Sequence, residues 1–282
     1  MNKVAIVTDS TCDLGNEIVE KYNIYVLPLY VNFEDRSYRD GVDITTQELF
    51  KKVEEVGSIP KTSAATPADY HNLFQRLINE GYDIVYSGIG SQLSGSYQIV
   101  NLVTKEFPED RIFLVDSENL STGIGLLLLK ACQMRDKGMS AREIAEEMKK
   151  ITPKIRCSFV VETLDYLHMG GRCSGTARFI GTMLGVRPLI QVVNGKMEAK
   201  KVIGPMRRGL ERMISVYRKD FEEGIVDEDF LFITCPDDKN YDFVYNKVKT
   251  INNVKNLYHT NAGCVIGSHC GPGCIGIIYA VK

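Results

Sequence analysis

Apolar runs and amphipathic stretches alternate from end to end of the chain, the pattern of layered α/β folds. Residues 4–7 form an apolar run that ends in Asp9, Ser10 and Thr11, after which Leu14, Ile18, Val19 and Tyr22 fall on one helical face. Residues 24–33 read as a buried strand that Pro28 interrupts, which predicts an edge position or a bend. Thr45 or Thr46 caps a helix carrying Leu49, Phe50, Val53 and Val56, and Pro67 opens another in its first turn after Thr66. Residues 84–86, 112–115 and 159–161 continue the strand series. Ser140 and Glu143 form a capping box ahead of a helix with Ile144, Met148 and Ile151. Thr152-Pro153 follows as the best lobe boundary, because proline disfavours helical geometry in the residue before it, and Lys149 and Lys150 suit a helix C-terminus. Beyond it the pattern predicts a hairpin of residues 189–193 and 196–202 turning at Asn194-Gly195, helices over 206–223 and 239–251, and strands over 230–234 and 274–281. No repeat and no low-complexity linker separates the halves. Two packed lobes follow, 1–152 and 153–282, with the cleft between them as the expected site.

Composition narrows the function classes. A hydrophobic share of 44% and a charged share of 25% are ordinary for a globular protein. The formal net charge of -2 supplies no basic footprint for DNA or RNA, so nucleic-acid partners are not expected. The first apolar run is too short for a signal peptide, and residues 126–129, the longest purely aliphatic stretch, are too short to cross a bilayer. A cytoplasmic location is expected. Eight cysteines show no CxxC pair, which suits small buried hydrophobes in a reducing compartment. Cys264, Cys270 and Cys274 surround His269 and have the element mix of a zinc site. Cys270 and Cys274, however, flank Gly271-Pro272-Gly273 rather than a knuckle, and no metal site is assigned.

Chemistry concentrates in four loops that follow strand-like runs, where open α/β sheets bind ligands. Asp9-Ser10-Thr11 is the first, with helix capping as its simpler explanation. In the second, Lys61-Thr62-Ser63-Ala64-Ala65-Thr66, small residues allow close approach of a ligand. The third, Gly88 to Gln98, places glycines and Ser91, Ser94 and Ser96 before a helix, an anion-binding arrangement that matches neither the phosphate-loop nor the dinucleotide pattern. The fourth sets His269 in a glycine- and proline-rich turn. Gly170-Gly171-Arg172 exposes an arginine at the end of a helix starting near Thr163.

In this order, Asp9 to Leu14, Thr62-Ser63, Leu93 to Gln98, Asp116-Ser117, Leu164 to Leu167 with Gly170-Gly171-Arg172, Arg187-Pro188-Leu189, and Gly267 to Gly276 resemble the DegV family over essentially the whole chain. The resemblance implies two packed α/β domains, with a mostly parallel sheet in the N-terminal lobe and a mixed sheet in the C-terminal lobe. It further implies a non-catalytic protein that binds a long-chain fatty acid such as palmitate, stearate or oleate in a buried tunnel. A separate ATP-dependent fatty-acid kinase subunit would phosphorylate the bound carboxylate. Matched motif to motif, Thr62, Ser94 and His269 hold that carboxylate, with Arg172 behind His269; Ser10, Ser63 and Gly95 are further candidates. Two departures are Ala64-Ala65-Thr66, where many relatives carry a Gln-Pro-Ser type of run, and Cys173 after Gly-Gly-Arg. Phe179, Ile180, Met183 and Leu184 are expected among the tunnel walls. Outside the kinase complex the chain is expected to be monomeric, with at most transient membrane contact.

The physics suits such a ligand. Each buried methylene contributes about 0.8 kcal/mol, so the tail drives binding, while hydroxyls give charge-assisted hydrogen bonds to the head. Two other readings stand beside this one. One is an enzyme using His269 with Cys270, although adjacent residues in an extended turn point apart. The other is a regulator binding metal through the Cys/His cluster. Lys200, Lys201, Arg207 and Arg208 form a basic cluster, either a dock for an acidic partner or a solvated helix face.

Overall fold

The computed structural model describes residues 2–172, 187–251 and 254–282. Its first half runs β1 (Lys3–Asp9), α1 (Gly15–Lys21), β2 (Ile24–Leu27), β3 (Tyr30–Asn32), β4 (Ser37–Arg39), α2 (Thr46–Val56), β5 (Lys61–Ser63), α3 (Pro67–Asn79), β6 (Tyr82–Tyr86), α4 (Ser96–Thr104), β7 (Ile112–Leu114), α5 (Thr122–Asp136) and α6 (Ala141–Ile151). The second half runs β8 (Ile155–Val160), α7 (Asp165–Met169), β9 (Leu189–Val193), β10 (Lys196–Lys200), α8 (Met206–Glu222), β11 (Val226–Cys235), α9 (Tyr241–Lys249), β12 (Asn256–Asn261), α10 (Cys264–Cys270) and β13 (Ile275–Val281).

The N-terminal sheet has the order β2-β1-β6-β7 and is parallel throughout. The C-terminal sheet has the order β10-β9-β8-β13-β11-β12 and is mixed, with only β11 and β12 parallel. A small antiparallel sheet, β4-β3-β5, stands apart and carries Thr62. Pro28 marks the place where the run over 24–33 leaves one sheet for the other: β2 is an edge strand of the parallel sheet and β3 the centre of the small one.

Helix α5 is buried on every side, as its unbroken Leu126 to Leu129 run requires, and it packs against strands of both large sheets. One core cluster runs through it from Ile6 and Val85 to Phe159 and Phe232, so the lobes share a hydrophobic interior. Thr122 at its start shares a hydroxyl hydrogen bond of 2.6 Å with Thr234 of β11, which removes the cost of burying both groups.

Local signals place most helix starts. Thr45, Thr66 and Ser140 each complete a capping box, with Glu48, Asp69 and Glu143. Asn194 and Gly195, both at positive φ, turn the β9–β10 hairpin. Two expectations need correction. Thr152 is helical despite the following proline (φ -44°, ψ -52°), because its hydroxyl donates to Met148 O and the chain tightens into a 3-10 turn before β8. Residues 264–270, read as part of a turn, form α10, so His269 lies on a helix. These seven residues, with β-branched Val265 and Ile266, Gly267 and two cysteines, have little helical propensity of their own. Tertiary contacts supply the rest: Asp13 accepts a hydrogen bond from Gly263 N at 2.9 Å, and Asp40 accepts from Cys264 N at 2.7 Å and Val265 N at 3.4 Å.

Candidate functional site

A cavity of about 210 Å³ is lined by residues from both halves of the chain. Its polar end is built from Thr62 and Ser63 at the end of β5, Ser94 and Gly95 at the entry to α4, Arg172 after α7, and His269 near the end of α10. Leu29, Ile89, Leu93, Ile99, Leu120, Leu167, Met197, Val265, Ile266 and Cys270 make its remaining wall largely apolar. A second, smaller void shares Leu120, Ile266 and Cys270 with it and continues among Cys157, Phe159, Cys274 and Ile278 of the C-terminal core. On the outside, Ser94, Gly95 and Arg172 also border an open polar depression of about 410 Å³ with Gln98 and Lys196. Ser94, Gly95 and Arg172 thus lie at the mouth, where the cavity meets the outer depression, and most of the remaining cavity lining is apolar.

Each polar side chain is held by an identifiable contact. Thr62 Oγ1 lies 2.8 Å from His269 Nε2. Ser94 Oγ accepts from Ser96 N at 3.2 Å and shares a 2.9 Å contact with Ser96 Oγ, which fixes it at the start of α4. Arg172 donates to Gly170 O at 2.7 Å and to Leu93 O at 3.4 Å, so its charge stays beside the mouth, held by backbone carbonyls. Ser63 Oγ accepts from Asn32 Nδ2 at 3.0 Å. Ser10 does not line the cavity: its hydroxyl donates to Asp40 at 2.8 Å and accepts from Leu29 N at 3.1 Å. Phe179, Ile180, Met183, Leu184 and Cys173 lie outside the described residues.

Arg172 and His269 line the same cavity, and the Arg172 charge acts on the imidazole. Burial, then the Arg172 charge, pushes the His269 pKa down to about 4, so the ring is neutral at physiological pH. Its Nδ1 is buried and has no hydrogen-bond partner among the described residues. That nitrogen abuts Gly170, where an alanine Cβ would sit only 2.1 Å away, so glycine is required for this close approach.

A pH dependence follows. The unfolded chain takes up the imidazole proton near pH 6.5 and the fold only near 4, so His269 costs stability as pH falls through that window. The full effect is on the order of 3 kcal/mol. The buried carboxyls of Asp9, Asp13 and Asp40, raised by burial, work in the opposite sense, gaining stability as pH falls. Urea denaturation of lipid-stripped protein between pH 7 and 4 is expected to show a steeper acid loss for wild type than for His269→Gln. Equal slopes would contradict a neutral, buried His269.

Sequence reasoning missed the groups that seat these residues. Asp9 accepts from Thr11 N at 3.0 Å, Ile89 N at 3.0 Å and Tyr86 OH at 3.2 Å, tying the end of β1 to the loop that presents Ser94. Asp13 and Asp40 do the same for α10. A carboxylate just after a strand hints at such a role, but its partners are distant in sequence. The seven described cysteines are buried and unpaired, and Cys264 Sγ donates to Ile44 O rather than facing His269. No described helix is long and apolar enough to cross a membrane.

Comparison with known proteins agrees with this architecture. A family model described as an uncharacterised protein of the DegV family matches residues 3–282. A DegV domain-containing protein of Clostridium acetobutylicum is 34% identical, with 100% of both chains covered. One from Clostridium perfringens is 32% identical over 99% of each. Among solved structures, a DegV family protein from Thermus thermophilus, described by its fatty-acid binding, superposes with a TM-score of 0.92 at 29% identity, covering 100% of both chains. A stearic-acid-binding protein from Eubacterium ventriosum gives a TM-score of 0.88 at 28% identity, covering 100% of this chain and 99% of its own.

Proposed function

Because the chain belongs to the DegV family, we propose that it binds a long-chain fatty acid with the carboxylate at Thr62, Ser94 and His269 and the tail in the apolar interior. The observation that carries this reading is the cavity itself, where Thr62, Ser94, His269 and Arg172 share a lining that is otherwise largely apolar. Binding of fatty acids by the Thermus and Eubacterium proteins supports the ligand class.

The neutral imidazole defines the hydrogen-bond order. It carries one proton; placed on Nε2, that proton is donated to Thr62 Oγ1 across 2.8 Å, leaving the unpartnered Nδ1 bare. The Thr62 hydroxyl proton is then free to turn toward the carboxylate. Ser94 Oγ, accepting from Ser96 N, has its own proton available for the second oxygen. His269 thus acts on the ligand through Thr62, whose hydroxyl it orients. Arg172 supplies favourable charge at the mouth, while its bonds to Leu93 O and Gly170 O hold it.

In this reading the protein is a carrier, and the phosphoryl transfer belongs to a separate ATP-dependent kinase subunit. The open polar depression beside Ser94 and Arg172 gives a phosphoryl donor its approach to the carboxylate. Residues 1–152 and 153–282 are read as the two domains clasping the ligand, in a cytoplasmic protein that is monomeric outside the kinase complex. The test loads the protein with labelled palmitate or oleate and adds ATP with and without the cognate kinase. Hydroxylamine-trappable acyl phosphate is expected only with the kinase. Its formation without the kinase would replace the carrier by an enzyme, and its absence from the complete mixture would remove the kinase partnership.

A further inference from the structure

A second constellation lies at the carboxyl ends of β11 and β12, outside the cavity just described. Cys235 ends β11, His259 lies on β12 and Asp238 follows in the loop before α9. The parallel register pairs Cys235 with Asn261 and Ile233 with His259. Cys235 and His259 are therefore diagonal neighbours on one face of the sheet. Cys235 Sγ lies 3.5 Å from His259 Nε2, and Asp238 Oδ1 lies 3.2 Å from the same nitrogen. One ligand atom from each residue falls within 4.8 Å of the other two.

The convergence on a single nitrogen decides between two chemistries. A thiol–imidazole–carboxylate relay needs its thiol and its carboxylate on opposite ring nitrogens. Here both face Nε2, so the relay geometry is absent, whereas a cation placed between the three groups would be bound by all of them. We propose that Cys235, Asp238 and His259 bind a zinc ion, with the fourth position open to water. Tetrahedral zinc with Zn–S of about 2.3 Å and Zn–N and Zn–O of about 2.0–2.1 Å separates S from N by roughly 3.5–3.6 Å and N from O by roughly 3.3 Å. The two separations here are 3.5 and 3.2 Å, close to those values, and the Cys235 and Asp238 ligand atoms lie within 4.8 Å of each other. The His259 ring is already held by stacking on Tyr241, with centroids 3.6 Å apart. On binding, the Cys235 thiol loses its proton to solvent and the thiolate forms the Zn–S bond.

The ion would fix a loop that supports the first site. Asp237 accepts from Gly273 N at 2.7 Å, and Asn240 donates to Gly273 O at 2.9 Å. Gly273 belongs to the turn that follows α10, the helix carrying His269. Zinc at Asp238 therefore stiffens the clasp on that turn. None of the cysteines near His269 takes part, and Cys235 and His259 are 24 residues apart, which leaves no compact motif.

The test uses full-length protein stripped with a chelator and then titrated with zinc, and separately with cobalt. Wild type is expected to take up one equivalent of either metal, to show a thiolate-to-cobalt charge-transfer band, and to melt at a higher temperature with zinc. His259→Gln and Asp238→Asn, both at exposed positions, are expected to bind zinc more weakly by more than about 100-fold, beyond what the loss of an outer-shell partner commonly costs. Cys235→Ser should abolish the cobalt band. Failure of wild type to bind a stoichiometric ion would overturn the proposal. So would a band or affinity unchanged in His259→Gln, which would place the metal at other cysteines.

Discussion

Replacing Thr62 and Ser94 together by alanine is expected to weaken fatty-acid binding by about 100-fold or more, because each charge-assisted hydrogen bond contributes about 1.5–3 kcal/mol. Residual binding should persist, since the apolar wall is untouched and each buried methylene still contributes about 0.8 kcal/mol. Displacement of a fluorescent fatty acid from lipid-stripped protein measures the change. The methyl ester of the same acid provides the internal control. Lacking a charged head, it should bind wild type and the double variant with similar affinity. Equal weakening for acid and ester would mean that the two substitutions damage the cavity, and that the hydroxyls are not the carboxylate's partners.

Asp40→Ala is expected to cost about 3 kcal/mol of stability and to abolish detectable binding with it. Asp40 is 3% exposed and accepts from Cys264 N, Val265 N and Ser10 Oγ, so its removal leaves buried donors at the start of α10 without a partner. The helix has no side-chain cap of its own on Gly263, and Asp13 alone would then hold its first turn. Asp40→Asn keeps one acceptor oxygen and should lose less. Chemical denaturation at pH 7 ranks the three proteins; an alanine variant as stable as wild type would show that α10 stands without this anchor.

The contrast between α2 and α10 explains how much of the molecule could be read in its sequence. Helix α2 announces itself locally, through Thr45 and Glu48 at its start and Gly57 in the left-handed conformation at its end. Helix α10 has no such signals; its first N–H groups meet carboxylates more than 200 residues earlier in the chain. The same distance rule applies to the site. Hydroxyls, glycines and His269 could be picked out as chemistry-bearing loops, since few structural roles need that mix. That Thr62 meets His269, that Ser10 serves Asp40 instead of the cavity, and that Arg172 shares the mouth are tertiary facts. The short strands β4 and β5 were hidden for a related reason: three residues each carry too little alternation to register. The Cys235, Asp238 and His259 cluster is the extreme case, because strand register and the loop after β11 together assemble it.

Native mass spectrometry of the purified protein, followed by extraction with organic solvent, tests the central claim most directly. One bound molecule per chain is expected, with the mass of a long-chain fatty acid, and lipid-stripped protein should take up one equivalent of palmitate or oleate. A chain that carries no fatty acid on purification and takes up neither acid when they are offered would contradict the account.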